Sequence, residues 1–294
     1  MIVTVLLTAL GVLAVIFTGV LIQTAIKRHE LRPTLESIGL GAVTNFFDTL
    51  GIGSFATTTA WIKLRKLIPD SYIPGTLNVG HALPTVAQAY IFIKLVNVDP
   101  VLLAACIAAA VAGAIVGAPI VVRLPVRVVQ GVVGIALLIA SALYALTNLG
   151  MMPAGGNALS LAAGSMVVAV IGHFVMGALM TFGIGLYAPS LILLSLLGLN
   201  PVAVFPIMMG ACAFLMPVCG MKFVRADRIN LRVVIGLALG GIPLVLVAAF
   251  LVTSLPLVTL RWGVVVVVLY AAILLLRSAL QATATQESAA KLAQ

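Results

Sequence analysis

The stretch that decides the fold is Thr49-Leu50-Gly51-Ile52-Gly53, which recurs 132 residues later as Thr181-Phe182-Gly183-Ile184-Gly185. Each copy interrupts a long apolar segment. Two closely spaced glycines let the backbone turn where a residue with a side chain would be strained. The sequence therefore predicts two apolar segments, each broken at a glycine tip.

The composition around these tips is that of an integral membrane protein. Hydrophobic residues make up 63% of the 294 residues and charged residues 8%, whereas soluble domains carry about 25% charged residues. The net charge of +9 does not indicate nucleic-acid binding, because basic residues commonly flank membrane segments. The three cysteines lack Cys-x-x-Cys spacing, so we expect no disulfide framework, no metal site and no cofactor.

A spanning helix needs about 20 apolar residues, and several segments meet this requirement. The first, 1–26, has no basic residues before its apolar run, so we expect a retained helix with its N-terminus outside and not a cleaved signal peptide. The further candidates are 75–95, 99–122, 126–148, 201–220, 230–252 and 257–278.

The two segments with glycine tips, 34–68 and 158–198, leave two alternatives open. Each is either one long broken crossing or a re-entrant hairpin that turns back at its tip. The shorter arms, 54–67 and 186–197, would be about 18 to 21 Å long, too short for a hydrocarbon core of about 30 Å. With hairpins, all but two of the 16 Lys and Arg residues lie on the cytoplasmic side, whereas two crossings would place six of them outside. The positive-inside rule favours hairpins.

The hairpin interpretation implies an internal duplication. One hairpin and three crossings would occupy each half, and because three is odd the two copies are inverted. Two more matches follow in the same order, Ala112-x4-Gly117-x-Pro119 with Gly236-x4-Gly241-x-Pro243 and Leu124-Pro125 with Leu255-Pro256.

The predicted fold class is an all-α polytopic membrane protein with an N-terminal helix and two inverted repeats. Each repeat is a glycine-tipped re-entrant hairpin followed by three transmembrane helices. The predicted segments are an N-terminal transmembrane helix at 1–32, repeat 1 at 33–148, a connecting loop at 149–157, repeat 2 at 158–278 and a cytoplasmic tail at 279–294.

These features resemble the TauE/SafE sulfite exporter family, also called the four-helix toluene-sulfonate uptake family. The resemblance rests on the paired Gly-rich segments 39–53 and 172–185, on the Asn78-Val79-Gly80-x3-Pro84 run and on the two-unit layout over 34–278. It implies secondary transport, usually export, of a small sulfur-containing anion such as sulfite, sulfoacetate or another sulfonate. The Phe46-Phe47-Asp48-Thr49 run departs from the more usual form of the family and leaves the substrate open.

The tips also give a physical reason to expect an anion. Irregular backbone at membrane depth is tolerated where it lines a cavity, and the helices that begin after the tips would direct free N–H groups into it. The alternative is that the glycines only permit tight turns. The candidate substrate-binding residues at the tips are Thr49, Gly51, Gly53, Ser54, Thr57, Gly183, Gly185 and Tyr187.

Polar side chains near the first tip extend this site. Asn78 and His81 share one face of the following helix, with Gln88 two turns beyond His81. Asn78 would donate to substrate oxygens or form a helix-to-helix hydrogen bond. His81 would supply positive charge or coupling, or serve in packing. Asp48, an acidic residue well inside a predicted membrane segment, would carry a coupling proton or cation, or cap the arm after the tip.

We therefore expect a carrier of the inner membrane with its C-terminus in the cytoplasm, working by alternating access. Its expected partners are a small anion, the lipid bilayer and a coupling proton or cation, with a homodimer left open. An anion channel remains an alternative. An intramembrane enzyme is the weaker alternative, because the chain lacks the HExxH and GxSxG motifs, paired carboxylates and a Cys/His couple.

Overall fold

The computed structural model describes residues 1–151 and 156–251, together with isolated positions between 262 and 280. Within these residues the regular elements are α-helices and one short 3-10 helix at Asp70–Tyr72. The helices are α1 (Ile2–Lys27), α2 (Leu35–Thr49), α3 (Phe55–Arg65), α4 (Ile73–Gly80), α5 (Ala82–Leu95), α6 (Pro100–Val121), α7 (Val126–Asn148), α8 (Ala163–Met180), α9 (Tyr187–Leu196), α10 (Pro201–Arg225) and α11 (Leu231–Leu251). The predicted crossing at 257–278, apart from those isolated positions, and the tail at 279–294 lie outside the described residues.

Several of these helices are long and apolar enough to span a bilayer. In the described part of the chain, five helices meet that requirement: Ile2–Lys27, Pro100–Val121, Ala163–Met180, Pro201–Arg225 and Leu231–Phe250. The chain is therefore an all-α, multi-pass membrane protein, as its composition predicts.

Helices α2 and α3 form an antiparallel hairpin with the first glycine stretch at its tip. The Thr34 hydroxyl accepts a hydrogen bond from the Ser37 backbone N–H at 3.1 Å and so caps the start of α2. At the base, Arg65 and Trp61 donate to the Glu36 carboxylate at 2.8 and 3.1 Å. The hydrogen bond from Arg65 is the main reason that the pKa of Glu36 is lowered. The chain therefore leaves α3 beside the point where it enters α2.

Helices α8 and α9 form a second antiparallel hairpin with the second glycine stretch at its tip. His173 Nε2 in α8 lies 3.0 Å from Ser190 Oγ in α9. At the base, Ala158 and Leu199 form an isolated parallel bridge, and the Asn200 backbone N–H donates to the Ala158 carbonyl at 2.8 Å. The chain again returns to the side from which it came.

The first helix of each hairpin packs along a helix from the other half of the chain. Helix α2 lies along α11, and α8 lies along α6. A Cβ at Gly240 in α11 would stand 1.9 Å from the Ile38 carbonyl oxygen, and a Cβ at Gly113 in α6 would stand 1.9 Å from the Phe174 carbonyl oxygen. Only glycine allows backbones to approach this closely. Helix α10 packs against α4, α5, α6 and α9 and so lies at the centre.

The predicted single helix at 75–95 is broken in the structure. Helix α4 ends at Gly80, His81 has φ −90° and ψ −5°, and α5 begins at Ala82. Pro84 has no backbone N–H, so the carbonyl four residues earlier cannot be paired along the helix. The other predicted spans in the described residues agree with the observed helices, except that α10 extends to Arg225 and not to 220.

Candidate functional site

The first glycines of the two tips have similar backbone conformations, whereas the second glycines differ, because Gly53 has a φ of +86° and Gly185 has no positive φ. Gly51 has a φ of +81° and Gly183 a φ of +90°, the left-handed region that favours glycine. The helix after the first tip begins at Phe55, and the helix after the second begins at Tyr187. Gly51 and Gly183 are 132 residues apart, as are the two helix starts, so the tips match at the first glycine and at the helix start.

Both tips line one cavity of about 360 Å³. The first tip contributes Gly53, Ser54 and Phe55, and the second contributes Gly185 and Tyr187. The remaining lining is mostly apolar: Ile52, Ala56, Val132, Ile135, Ile139, Leu143, Leu179, Met180, Ile184, Leu186, Ala188, Pro189, Cys212 and Met216. Four of these apolar residues belong to α7. The cavity therefore has an apolar wall facing two glycine tips.

Four polar residues of the lining are Asp48, Ser54, Thr85 and Tyr187, each 5% exposed or less. Two of them, Asp48 and Tyr187, are connected through Gln88, which is fully buried. Gln88 Nε2 donates to Asp48 Oδ2 at 2.9 Å and to Thr49 Oγ1 at 3.0 Å. Tyr187 Oη donates to Gln88 Oε1 at 2.7 Å. The buried amide thus joins the polar groups of the first tip to the tyrosine of the second.

Asp48 also interacts with the helix that follows its tip. Both the hydroxyl and the backbone N–H of Ser54 hydrogen-bond to the Asp48 carboxylate. Ser54 is the N-cap residue of α3, so the carboxylate satisfies a backbone donor at the start of that helix. This geometry matches the capping alternative that the sequence left open, and it also leaves Asp48 in the cavity wall.

Five of the predicted site residues line the cavity: Asp48, Gly53, Ser54, Gly185 and Tyr187. The structure places the other six behind it. Thr49 donates to the Asn45 carbonyl at 2.8 Å, and Thr57 donates to the Ser54 carbonyl at 3.0 Å. A Cβ at Gly51 would stand 3.0 Å from the Phe205 ring, and a Cβ at Gly183 would stand 3.3 Å from Leu77.

Asn78 and His81 have protein partners in the structure. Asn78 Nδ2 donates to the Pro74 carbonyl at 2.9 Å and to the Met180 carbonyl at 3.0 Å, the latter at the end of α8. His81 Nε2 lies 2.9 Å from Thr58 Oγ1, and Nδ1 lies 3.0 Å from Asn45 Oδ1. These contacts match the helix-to-helix and packing alternatives for both residues, and neither side chain lines the cavity.

The sequence placed Gln88 among the polar residues near the first tip but predicted no partner for it, and it predicted no role for Thr85 or for the face of α7 in the cavity. Gln88 was visible as a polar residue in an apolar helix, which is the signal for an intramembrane hydrogen-bond partner. Its partners Asp48 and Tyr187 are 40 and 99 residues away. The contribution of α7 left no signal, because Ile135, Ile139 and Leu143 resemble any lipid-facing residues.

Comparisons of the chain with known protein families, with curated proteins and with solved structures find no match.

Proposed function

We propose that the protein is a secondary transporter that moves a small sulfur-containing anion, such as sulfite or an organosulfonate, across the cytoplasmic membrane by alternating access. The resemblance to the TauE/SafE family implies export as the usual direction. The proposed architecture is an N-terminal helix at 1–32 with two inverted repeats at 33–148 and 158–278. Each repeat contains a re-entrant hairpin that enters and leaves on one side of the membrane.

Three observations support the two-repeat architecture. Each hairpin returns to its base, through Glu36 and Arg65 in the first and through Ala158 and Leu199 in the second. Gly51 and Gly183 both have positive φ values, and these two glycines and the two helix starts are each 132 residues apart. The packing between the halves is also symmetric. Helices α2 and α6 of the first half each pack along a helix of the second half, α11 and α8.

The single observation that carries the proposed function is that the starts of α3 and α9 meet at one cavity. The first turn of a helix has backbone N–H groups without intrahelical partners, and the helix dipole adds partial positive charge there. Two such ends facing one mostly apolar cavity would bind an anion from two sides. Transporters with interrupted helices place their substrates at similar points.

The cavity dimensions fit a small organic anion better than a macromolecule. A volume of about 360 Å³ lies at the lower end of the range of roughly 300 to 1,000 Å³ for small-molecule sites. The apolar wall from α7 would contact the organic body of a sulfonate, while the tips would bind its oxygens. A site shared by two hairpins also suits alternating access, because movement of one hairpin relative to the other exposes it to a different side.

Counterflow in proteoliposomes tests this proposal. Vesicles loaded with unlabelled anion are diluted into buffer with a trace of labelled anion, using sulfite, sulfate, thiosulfate, taurine, sulfoacetate and simple carboxylates in turn. We expect transient accumulation of label for at least one sulfur-containing anion, because a carrier exchanges substrate across the membrane. Large ohmic anion currents without counterflow would indicate a channel, and protein-free vesicles are the control.

A further inference from the structure

Asp48 is an acidic side chain in the wall of the proposed anion cavity. The residue is 3% exposed, and none of the ion pairs in the described part of the chain includes it. Its hydrogen-bond partners, Gln88, Ser54 and Tyr187, carry no positive charge. A carboxylate at membrane depth without a cation is costly and marks a functional group by default.

The titratable groups around Asp48 bring no positive charge. Tyr187 from α9 and Cys212 from α10 interact electrostatically with it, and both side chains are ordinarily neutral at physiological pH. His81, between α4 and α5, directs neither ring nitrogen at Asp48, because Nδ1 contacts Asn45 of α2 and Nε2 contacts Thr58 of α3. The α11 helix, which packs along α2, has one charged residue, Arg232, in its first turn.

An anion that enters this cavity would meet the Asp48 charge. Like charges repel strongly where water is excluded, and the helix starts of α3 and α9 carry only partial charges. Protonation of the carboxylate removes the repulsion without moving any residue. A neutral carboxylic acid also keeps an acceptor oxygen for Gln88.

We propose that Asp48 takes up one proton whenever an anion occupies the cavity, so that the protein moves an anion and a proton together. The proton comes from water on the side to which the cavity is open, rests on the Asp48 carboxylate during the transition and returns to water on the other side. No bond of the anion is made or broken. This inference rests on the proposed anion transport and specifies how it is coupled.

Protonation of Asp48 would change a hydrogen bond that Gln88 makes between the two tips. It holds Asp48 of the first tip with its Nε2 and accepts from Tyr187 of the second tip with its Oε1. A change of charge on Asp48 alters the strength of the first hydrogen bond, because bonds to ionised acceptors are shorter and stronger. Proton binding is thereby coupled to the contact between the two hairpins, with Gln88 as a positioning residue.

The test measures binding of ethanesulfonate to the purified full-length protein between pH 5 and pH 8. A sulfonate stays ionised throughout this range, so any pH dependence belongs to the protein. We expect the affinity of the wild type to fall by about tenfold per pH unit on the alkaline side, as linkage to one proton requires. A pH-indicator dye in weak buffer should show one proton taken up per anion bound.

Substitutions at Asp48 test whether this residue carries the proton. Asp48→Asn should bind ethanesulfonate with an affinity that does not change with pH and without proton uptake, while Asp48→Glu should keep both. Asp227→Asn is the matched control, because its carboxylate is 70% exposed, and it should behave as the wild type. The wild-type dye measurement stands if Asp48→Asn fails to fold.

Each other outcome has a definite meaning. Binding by the wild type that is independent of pH, or proton uptake that persists in Asp48→Asn, overturns the coupling inference and leaves anion transport standing. Loss of ethanesulfonate binding in a folded Asp48→Asn protein shows that binding needs the carboxyl group itself and not only the removal of its charge, and also overturns the inference. No binding by the wild type at any pH rejects anion transport at this site, and the coupling falls with it.

Discussion

At the scale of single residues, the four glycines of the tips have different tasks. Gly51, Gly53 and Gly183 have positive φ values, so a side chain at any of them strains the backbone. Gly185 has an ordinary φ, and a Cβ there would meet only Phe55 Cβ, at 3.7 Å. Gly185 therefore keeps space open in the cavity and has no conformational requirement.

Gly185→Leu tests the cavity without straining the tip. The new side chain would enter the space between the two tips, so we expect anion affinity to fall by about tenfold or more while the protein remains folded. Binding is measured by isothermal titration or scintillation proximity with the anion that shows counterflow. Gly39→Leu is the matched control, because Gly39 is exposed on α2 with nothing within 4 Å of its Cβ position. Unchanged affinity in Gly185→Leu would reject the cavity as the binding site.

The residues of the site were predictable where the signal was local. Gly53, Ser54, Gly185 and Tyr187 belong to the repeated stretch or follow it within two residues, and the structure brings all four into one cavity. The partners of Asn78 were not predictable. Asn78 donates to the carbonyl of Met180, 102 residues away, and sequence alone cannot decide between that contact and a substrate.

At the scale of secondary-structure elements, the short arms explain why the glycine tips form hairpins. Helix α3 has 11 residues and α9 has 10, which gives lengths of about 15 to 17 Å at 1.5 Å per residue. Neither can cross a hydrocarbon core of about 30 Å. The sequence predicted this shortness from glycine and charge positions, but it missed the break at His81, which depends on Pro84 within an otherwise apolar run.

Single cysteines at the two hairpin bases test the inverted orientation. Lys66→Cys and Ser160→Cys are exposed positions, and the three native cysteines are buried, so the wild type serves as the unlabelled control. We expect a membrane-impermeant maleimide to label Lys66→Cys from the cytoplasmic side and Ser160→Cys from outside. Labelling of both from the same side would contradict the inverted repeats.

At the scale of the whole molecule, two close helix contacts at glycines hold the two halves of the chain together. Gly113 joins α6 to α8, and Gly240 joins α11 to α2, each with its Cβ position 1.9 Å from a carbonyl oxygen. Real Cβ atoms do not approach backbone this closely, so a methyl group at either position must separate the two helices. Van der Waals contact is then lost along the whole helix pair, because helix packing in a membrane has no hydrophobic driving force and depends on close contact.

Gly113→Ala and Gly240→Ala should each lower stability by about 1 to 3 kcal/mol or more, the usual cost of overpacking. Thermal unfolding in detergent, followed by native tryptophan fluorescence or by loss of the monodisperse peak in size exclusion, measures the effect. Gly19→Ala is the control, because its Cβ position in α1 has nothing within 4 Å. Equal unfolding temperatures in all three variants would show that these two helix contacts accommodate a methyl group.

The packing of α2 along α11 has a consequence for biosynthesis. Helix α11 begins at Leu231, long after α2 ends at Thr49. At a synthesis rate of about 5 to 20 residues per second, this interval of about 180 residues lasts roughly 10 to 40 s. During that time the nascent first hairpin is in the bilayer without its main neighbour, and one side of α2 faces lipid or the insertion machinery. A ribosome that stalls before α11 therefore releases a membrane fragment with an open flank, a ready target for quality-control proteases.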